Sequence, residues 1–178
     1  MTEFLTISGS LRSASTNTAA LEAFASLAPP DVSIVAYQGL GSLPAFNPDL
    51  DGELLPDPVR ELRARVAHAD ALVISSPEYA RGIAGSLKNL LDWLVGGPEF
   101  PSKLVALIST SPRAEHAPAQ LRLIITTMSG RIVEPACVTL PLLGKTLSAA
   151  EIVADPPLAK ALRTSIDALV EAVLISEQ

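Results

Sequence analysis

The chain has few of the residues that brace a fold covalently or through metal. Its 178 residues include one cysteine, Cys137, so no internal disulfide can form, and two histidines, His68 and His116, too few for the usual structural zinc spacings. Cys137 stands in an apolar stretch with no neighbouring cation and reads as a small packed side chain, and His68 reads as a surface residue. This usage points to a reducing compartment. Basic residues are scarce as well: thirteen Lys and Arg against nineteen Asp and Glu leave a net charge of −6. There is no basic cluster, which argues against a nucleic-acid partner held through phosphate neutralisation. No apolar run is long enough to span a bilayer, and the opening MTEFLTISGS carries no basic segment leading into a long apolar core. The expectation is a cytoplasmic chain without a membrane partner. No Ser-His-Asp set and no paired acids stand out.

What is present is apolar sequence in regular portions. Hydrophobic residues make up 48% of the chain, enough for one substantial core, so residues 1–178 are expected to form a single domain. Short continuous apolar runs, the pattern of strands covered on both faces, occur at Phe4–Ile7, Val32–Tyr37, Ala71–Ser75, Leu104–Ile108 and within Ile132–Val138. Between them lie helical periodicities. Ser15 caps a helix that buries Leu21, Phe24 and Leu27 or Ala28 and ends at Pro29 and Pro30. Asp57 with Pro58 starts a second, facing inward through Val59, Leu62, Val66 and Ala69. A third carries Leu87, Leu90, Leu91 and Leu94. A fourth, from about Ala117, carries Leu121, Ile124, Ile125 and Met128 and is expected to close at Gly130 in a left-handed cap. The last, from Asp155 and Pro156, buries Leu158, Leu162, Ile166, Leu169 and Val173. Five alternations of strand and helix predict an α/β fold, a parallel sheet with helices on both faces, and in a sheet of order 2-1-3-4-5 the ligand crevice lies beyond the carboxyl ends of the first and third strands. The stretch Gln38–Asp57, with Pro44, Pro48 and Pro56, reads as a long surface connection.

Two loops leave those strand ends. The first, GSLRSASTN from Gly9 to Asn17, gathers Ser10, Arg12, Ser15, Thr16 and Asn17 around a helix start, where free N–H groups and the helix dipole favour an anion. It is neither a Walker A loop nor a three-glycine dinucleotide fingerprint, so a mononucleotide phosphate suits it better. Taken without the second loop, it is better described as a Ser/Thr-rich turn that caps a helix. The second loop follows the third strand. Pro77 stops the strand, and Gly82 and Gly85 let the chain turn sharply and bring its backbone close to a flat or anionic group.

Pro77, Glu78, Tyr79, Gly82, Gly85, Leu87, Lys88, Asn89, Asp92 and Trp93, together with GSLRSASTN, resemble the signature of the NADPH-dependent FMN reductase family. The resemblance implies a flavodoxin-like fold of five parallel strands, FMN with its phosphate at Ser10, Arg12, Ser15, Thr16 and Asn17, and an isoalloxazine edge met by the backbone of Pro77, Glu78, Tyr79, Ala80, Arg81 and Gly82. It implies ping-pong transfer from NADPH or NADH through FMN to a small-molecule electron acceptor (quinone, free flavin, azo compound or metal oxyanion), with no protein acid or base. Lys88 with Asp92 and Asn89 with Trp93 stand four apart on one helix and read first as structural support. A homodimer or homotetramer is implied too, with Trp93 as a candidate subunit contact and Arg81 either reaching a nicotinamide nucleotide or an opposite subunit or standing as a solvated loop charge. Departures from the family pattern are Ala80 where Asn is usual, Ala84 where Pro is usual, and Ser109, Thr110, Ser111, Pro112 and Arg113 where glycines approach the flavin. Ser109 and Thr110 remain as donors there, and Arg113 and His116 as substrate contacts or as parts of an ordinary polar loop. These departures keep a second reading open, a flavin-binding or flavin-free interaction protein without turnover. A flavodoxin-type electron carrier suits the loops less well.

Overall fold

The computed structural model describes residues 1–176. Its core is a parallel sheet in which β1 (Thr2–Ser8) lies between β2 (Val32–Ala36) and β3 (Ala71–Ser75), and β6 (Leu104–Ser109) flanks β3 on the far side. Side chains alternate faces as the period-2 pattern requires. Phe4, Val73 and Ala106 enter one core with Phe24, Leu162 and Ile166, while Leu5, Leu72 and Leu107 enter the other with Leu62, Leu87 and Trp93. Helices α1 (Thr16–Ser26), α5 (Ala149–Ala154) and α6 (Pro156–Ser176) cover the first face; α2 (Asp57–His68), α3 (Gly85–Val95) and α4 (His116–Thr127) cover the second. The doubly wound, flavodoxin-like arrangement expected from the sequence is present.

The fifth strand position differs from the expectation. Two short strands, β7 (Arg131–Ile132) and β8 (Val138–Thr139), each pair with β6, separated by a 3-10 turn at Glu134–Ala136. Pro135 has no N–H for a ladder, which is why one continuous strand does not form there. A two-stranded antiparallel hairpin, β4 (Glu78–Tyr79) and β5 (Gly82–Ile83), also stands apart from the main sheet. Helix α5 was not anticipated, although Ser148 and Glu151 form a full capping box at its start.

Three further expectations need correction. Asp57 lies inside α2, whose first turn has no side-chain cap and starts after Pro56. The left-handed residue after α4 is Ser129, with φ 62°, and not Gly130. Gly130 is needed for space instead: a Cβ there would meet Phe100 and Ile125 side-chain carbons at 2.8 Å. Trp93 is fully buried within its own chain and so is not at a subunit contact. Its Nε1 donates to the Pro44 carbonyl at 2.8 Å, its ring meets Phe46 edge-on at 5.0 Å, and Asn89 binds the same loop through Pro44 O and Phe46 N. The signature pair Asn89 and Trp93 thus fastens the Gln38–Asp57 connection. Lys88 and Asp92 do pair, as the i,i+4 spacing predicts. Among the described residues no helix is long and apolar enough to cross a membrane.

Candidate active site

Register brings the two loops together. Ser8 of β1 lies opposite Ser75 of β3, so the chain leaves both strands at the same level, and Gly9 N–H donates to Ser75 O at 2.8 Å. The approach is so close that a Cβ at Gly9 would fall 2.9 Å from Ser76 Oγ and 3.3 Å from Leu87 Cβ, so only glycine fits without a shift. Ser86 Oγ, at the start of α3, donates to Gly9 O and ties the third-strand loop to the first.

A buried bridge adds the β6–α4 loop. Asn17 Oδ1 accepts from Ser75 Oγ at 2.9 Å and from Thr110 Oγ1 at 3.2 Å, joining the first turn of α1 to the ends of β3 and β6. Ser75 is fully buried and Asn17 nearly so. Buried polar groups of this kind persist when satisfied, and here they pin three loops in one arrangement. Leu140 and Leu142 N–H donate to Ser109 O and Thr110 O, which brings the segment after β8 alongside as a fourth wall.

The walls enclose a cleft of about 350 Å³, within the size range of small-ligand sites. Of the residues anticipated from sequence, Ser10, Arg12, Ser15, Thr16, Asn17, Pro77, Glu78, Tyr79 and Ser109 line it, and Arg113 does too. Ala80, Arg81 and Gly82 do not; they form the exposed turn and far strand of the hairpin. Ser76, Thr110, Ser111, Ala114 and the segment Leu142–Lys145 complete the lining among the described residues. Lys145 was missed because LPLLGK shows no periodicity and no recognisable motif; the only local clue is Gly144, whose φ of +75° marks a turn.

At the α1 end, Ser15 is the N-cap and its Oγ accepts from Thr18 N–H. Among the described residues no acceptor meets the N–H groups of Thr16 or Asn17, and the first turn of α1 holds no acid. Three cations, Arg12, Arg113 and Lys145, line the cleft, and among the described residues none of them forms an ion pair. In a chain of net charge −6 this is a local positive island facing unpaired amides. Among the described residues the only acid in the lining is Glu78, and its Oε2 already accepts from His116 N–H at 3.0 Å and Ala117 N–H at 2.9 Å. A second hollow of about 310 Å³ lies behind the first loop, between α1 and β2, and shares Ser10 and Arg12. It has Glu22 in its wall and none of the free α1 amides, so of the two hollows the first is the better match for an anion.

Cys137, outside this cleft, is half-buried, and burial pushes its thiol up despite the nearby Arg122. It is poorly suited to act as a nucleophile.

A parallel sheet wound on both faces, with a cationic cleft over the carboxyl ends of β1, β3 and β6 beside a bare helix amino terminus, defines the flavodoxin-like class of α/β proteins. Within that class, a profile of the NADPH-dependent FMN reductase family matches residues 2–142, and the chain belongs to this family. It is 40% identical over 109 residues to an NAD(P)H-dependent FMN reductase of Pseudomonas aeruginosa, a match covering 60% of this chain and 58% of that protein. It is 41% identical over 106 residues to a 2-hydroxy-1,4-benzoquinone reductase of a Burkholderia species, covering 58% and 57%. The matched region thus spans a little under three fifths of these curated relatives. Among solved structures, FerB, a flavoenzyme NAD(P)H:(acceptor) oxidoreductase of Paracoccus denitrificans, superposes with a TM-score of 0.77 at 28% identity, covering 97% of both chains.

Proposed function

We propose that the chain is an FMN-dependent NAD(P)H oxidoreductase that passes two electrons to a small organic acceptor, with quinones as the first class to test. The observation that carries this reading is the donor set of the cleft: two unpaired α1 amides, two serine hydroxyls and an unpaired arginine converge where a phosphate is the matching ligand. FMN, when bound, supplies the chemistry, taking a hydride from the nicotinamide and delivering the electrons onward.

The residues present fit that group. Ser10, Arg12, Ser15, Thr16 and Asn17 hold the phosphate end, with Asn17 already oriented by Ser75 and Thr110. Pro77, Glu78 and Tyr79 form the wall for a ring system, Tyr79 offering an aromatic side chain that is 52% exposed. Arg113 and Lys145, which line the cleft from two other loops, are available to the phosphates of a nicotinamide nucleotide or to an anionic acceptor. The lining contains no histidine or cysteine, and its one carboxylate is engaged on backbone amides. The chain therefore supplies binding, orientation and polarity. The names of the relatives, an FMN reductase and a benzoquinone reductase, support the same reading.

Cytoplasmic residence and assembly into a homodimer or homotetramer belong to the same proposal. With Trp93 buried in its own chain, assembly rests on exposed apolar side chains such as Val95 and Leu123, 63% and 67% exposed. Purified chain saturated with FMN is expected to oxidise NADPH with 1,4-benzoquinone as acceptor and to give parallel double-reciprocal plots. FMN-loaded protein that leaves NADPH untouched would refute turnover, and protein that takes up no FMN would refute the reading as a whole.

A further inference from the structure

Two helix amino termini border the cleft, and they are treated in opposite ways. The first turn of α1 contains no acid and leaves the N–H groups of Thr16 and Asn17 open. Helix α4 follows directly on the cleft residues Arg113 and Ala114, and its own N-cap, Glu115, makes no side-chain capping bond. The cap comes from 38 residues earlier in the chain: Glu78 Oε2 accepts from His116 N–H and Ala117 N–H. A helix start carries roughly half a positive charge, so a full negative charge seated on it reverses the sign of that rim.

We infer that Glu78, besides docking the hairpin, masks the amino terminus of α4 and thereby sets the redox balance of the bound cofactor; this rests on the FMN reading above. The bare α1 terminus is then the one place in the cleft where an anion is favoured by a helix dipole, which fixes the direction in which the nucleotide lies. At the α4 rim the carboxylate disfavours the extra negative charge that FMN gains on reduction, so the reduced cofactor is held less tightly and is the stronger reductant. Glu78 acts here through α4 and through the field it creates, and is a positioning residue.

Geometry allows the charge to be separated from the tether. The hairpin is fixed to α4 at two points, Glu78 from β4 and the Ile83 N–H of β5, which donates to Gln120 Oε1 at 2.9 Å. Glu78→Gln keeps an acceptor oxygen and the second tether while removing the charge. Glu78→Asp keeps the charge and shortens the reach, and Gln120→Ala removes the second tether and no charge.

The test is the midpoint potential of FMN in the loaded protein, with dissociation constants for oxidised and reduced FMN in each variant. In Glu78→Gln the ratio of oxidised to reduced dissociation constants is expected to rise about tenfold, a rise of about 30 mV for a two-electron couple. Glu78→Asp and Gln120→Ala should leave that ratio within about twofold, even where they weaken FMN binding or lower the melting temperature. A residue that only holds the hairpin would change both constants equally and leave the potential where it was. An unmoved potential in Glu78→Gln, or a rise of about 30 mV in Gln120→Ala or Glu78→Asp, which keep the charge, overturns the inference; if Glu78→Gln cannot be purified, Glu78→Ala, which also removes the charge, is measured in its place. Wild-type protein that binds no FMN would instead overturn the reading beneath it, a distinguishable failure.

Discussion

The turn of the β4–β5 hairpin should carry removable strain. Two residues, Ala80 and Arg81, join Tyr79 to Gly82, and both have positive φ, 49° and 62°. Positive φ at both central positions is the type I′ hairpin turn, whose favoured residues are Asn and Gly. A non-glycine residue in the left-handed region costs about 1–2 kcal/mol, so Ala80 and Arg81 together store about 2–4 kcal/mol. The strain persists because the hairpin cannot relax: Glu78 and Ile83 on its two strands are both bonded to α4. Ala80→Asn replaces the misfit with a residue that tolerates the conformation and leaves the unfolded chain's entropy nearly unchanged. It is expected to stabilise the fold by about 0.5–1 kcal/mol, which for a chain of this size is about 1–4 °C in melting temperature. Ala80→Gly relieves more strain but returns about 0.5–1 kcal/mol in unfolded-state entropy, so it should fall at or below the Asn variant. Thermal unfolding of the cofactor-free protein by circular dichroism reads the difference. An Asn variant that melts at or below the wild type would refute the assignment of strain to this turn.

Other consequences are equally specific. Asn17→Ala leaves the buried Ser75 hydroxyl and Thr110 without their shared acceptor, so a loss of about 2 kcal/mol in urea unfolding is expected; a loss below about 0.5 kcal/mol would mean that the bridge does not hold the loops. Arg12→Ala should weaken FMN binding about tenfold or more, and Arg113→Ala far less; equal dissociation constants would remove the placement of the phosphate at α1. Burial, reinforced by Glu61, pushes the Tyr37 phenol up to about 12 from its ordinary 10. Because the unfolded chain ionises first, the stability Tyr37 confers is fully present below pH 10 and is lost as pH rises to 12. Tyr37→Phe should therefore flatten the fall in urea midpoint across that window, and since Lys103, which burial shifts downward, is present in both proteins, the difference isolates Tyr37. Parallel curves for the two proteins would contradict it.

The strands were legible because runs such as Ala71–Ser75 and Leu104–Ile108 are apolar without a break and too short for helices, as strands covered on both faces must be. The first loop on its own reads only as a Ser/Thr-rich helix cap, and it took the second loop beside it to make an anion site the better reading; the register of Ser8 with Ser75 is what brings the two together. What escaped depended on distance along the chain or on missing local chemistry. The Glu78 cap joins residues 38 apart, and the one local hint was that α4 begins without a capping residue of its own. The type I′ turn carries no sequence signal because Ala-Arg lacks the Asn-Gly pair, and the positive φ values fall on Ala80 and Arg81 rather than on the neighbouring Gly82. Gly130 was assigned a left-handed cap when packing against Phe100 and Ile125 was the constraint and Ser129 took the unusual backbone. Structural support is the first reading of Asn89 and Trp93 at i,i+4 spacing and it holds; the subunit contact for Trp93 fails because burial under a proline-rich connection cannot be read from sequence. By contrast, Ser148 and Glu151 stood at capping-box spacing, so α5 could have been found.

A phosphate seated against the open amides of α1 is the contact on which FMN binding depends, and comparing FMN with riboflavin tests that seat alone. Titrating the cofactor-free protein with each flavin and following the fluorescence should show FMN binding at least tenfold more tightly, the equivalent of one charge-assisted contact of about 1.4 kcal/mol or more. Equal affinity for the two flavins, with or without turnover, would show that the cleft does not recognise the phosphate and would contradict the account at its base.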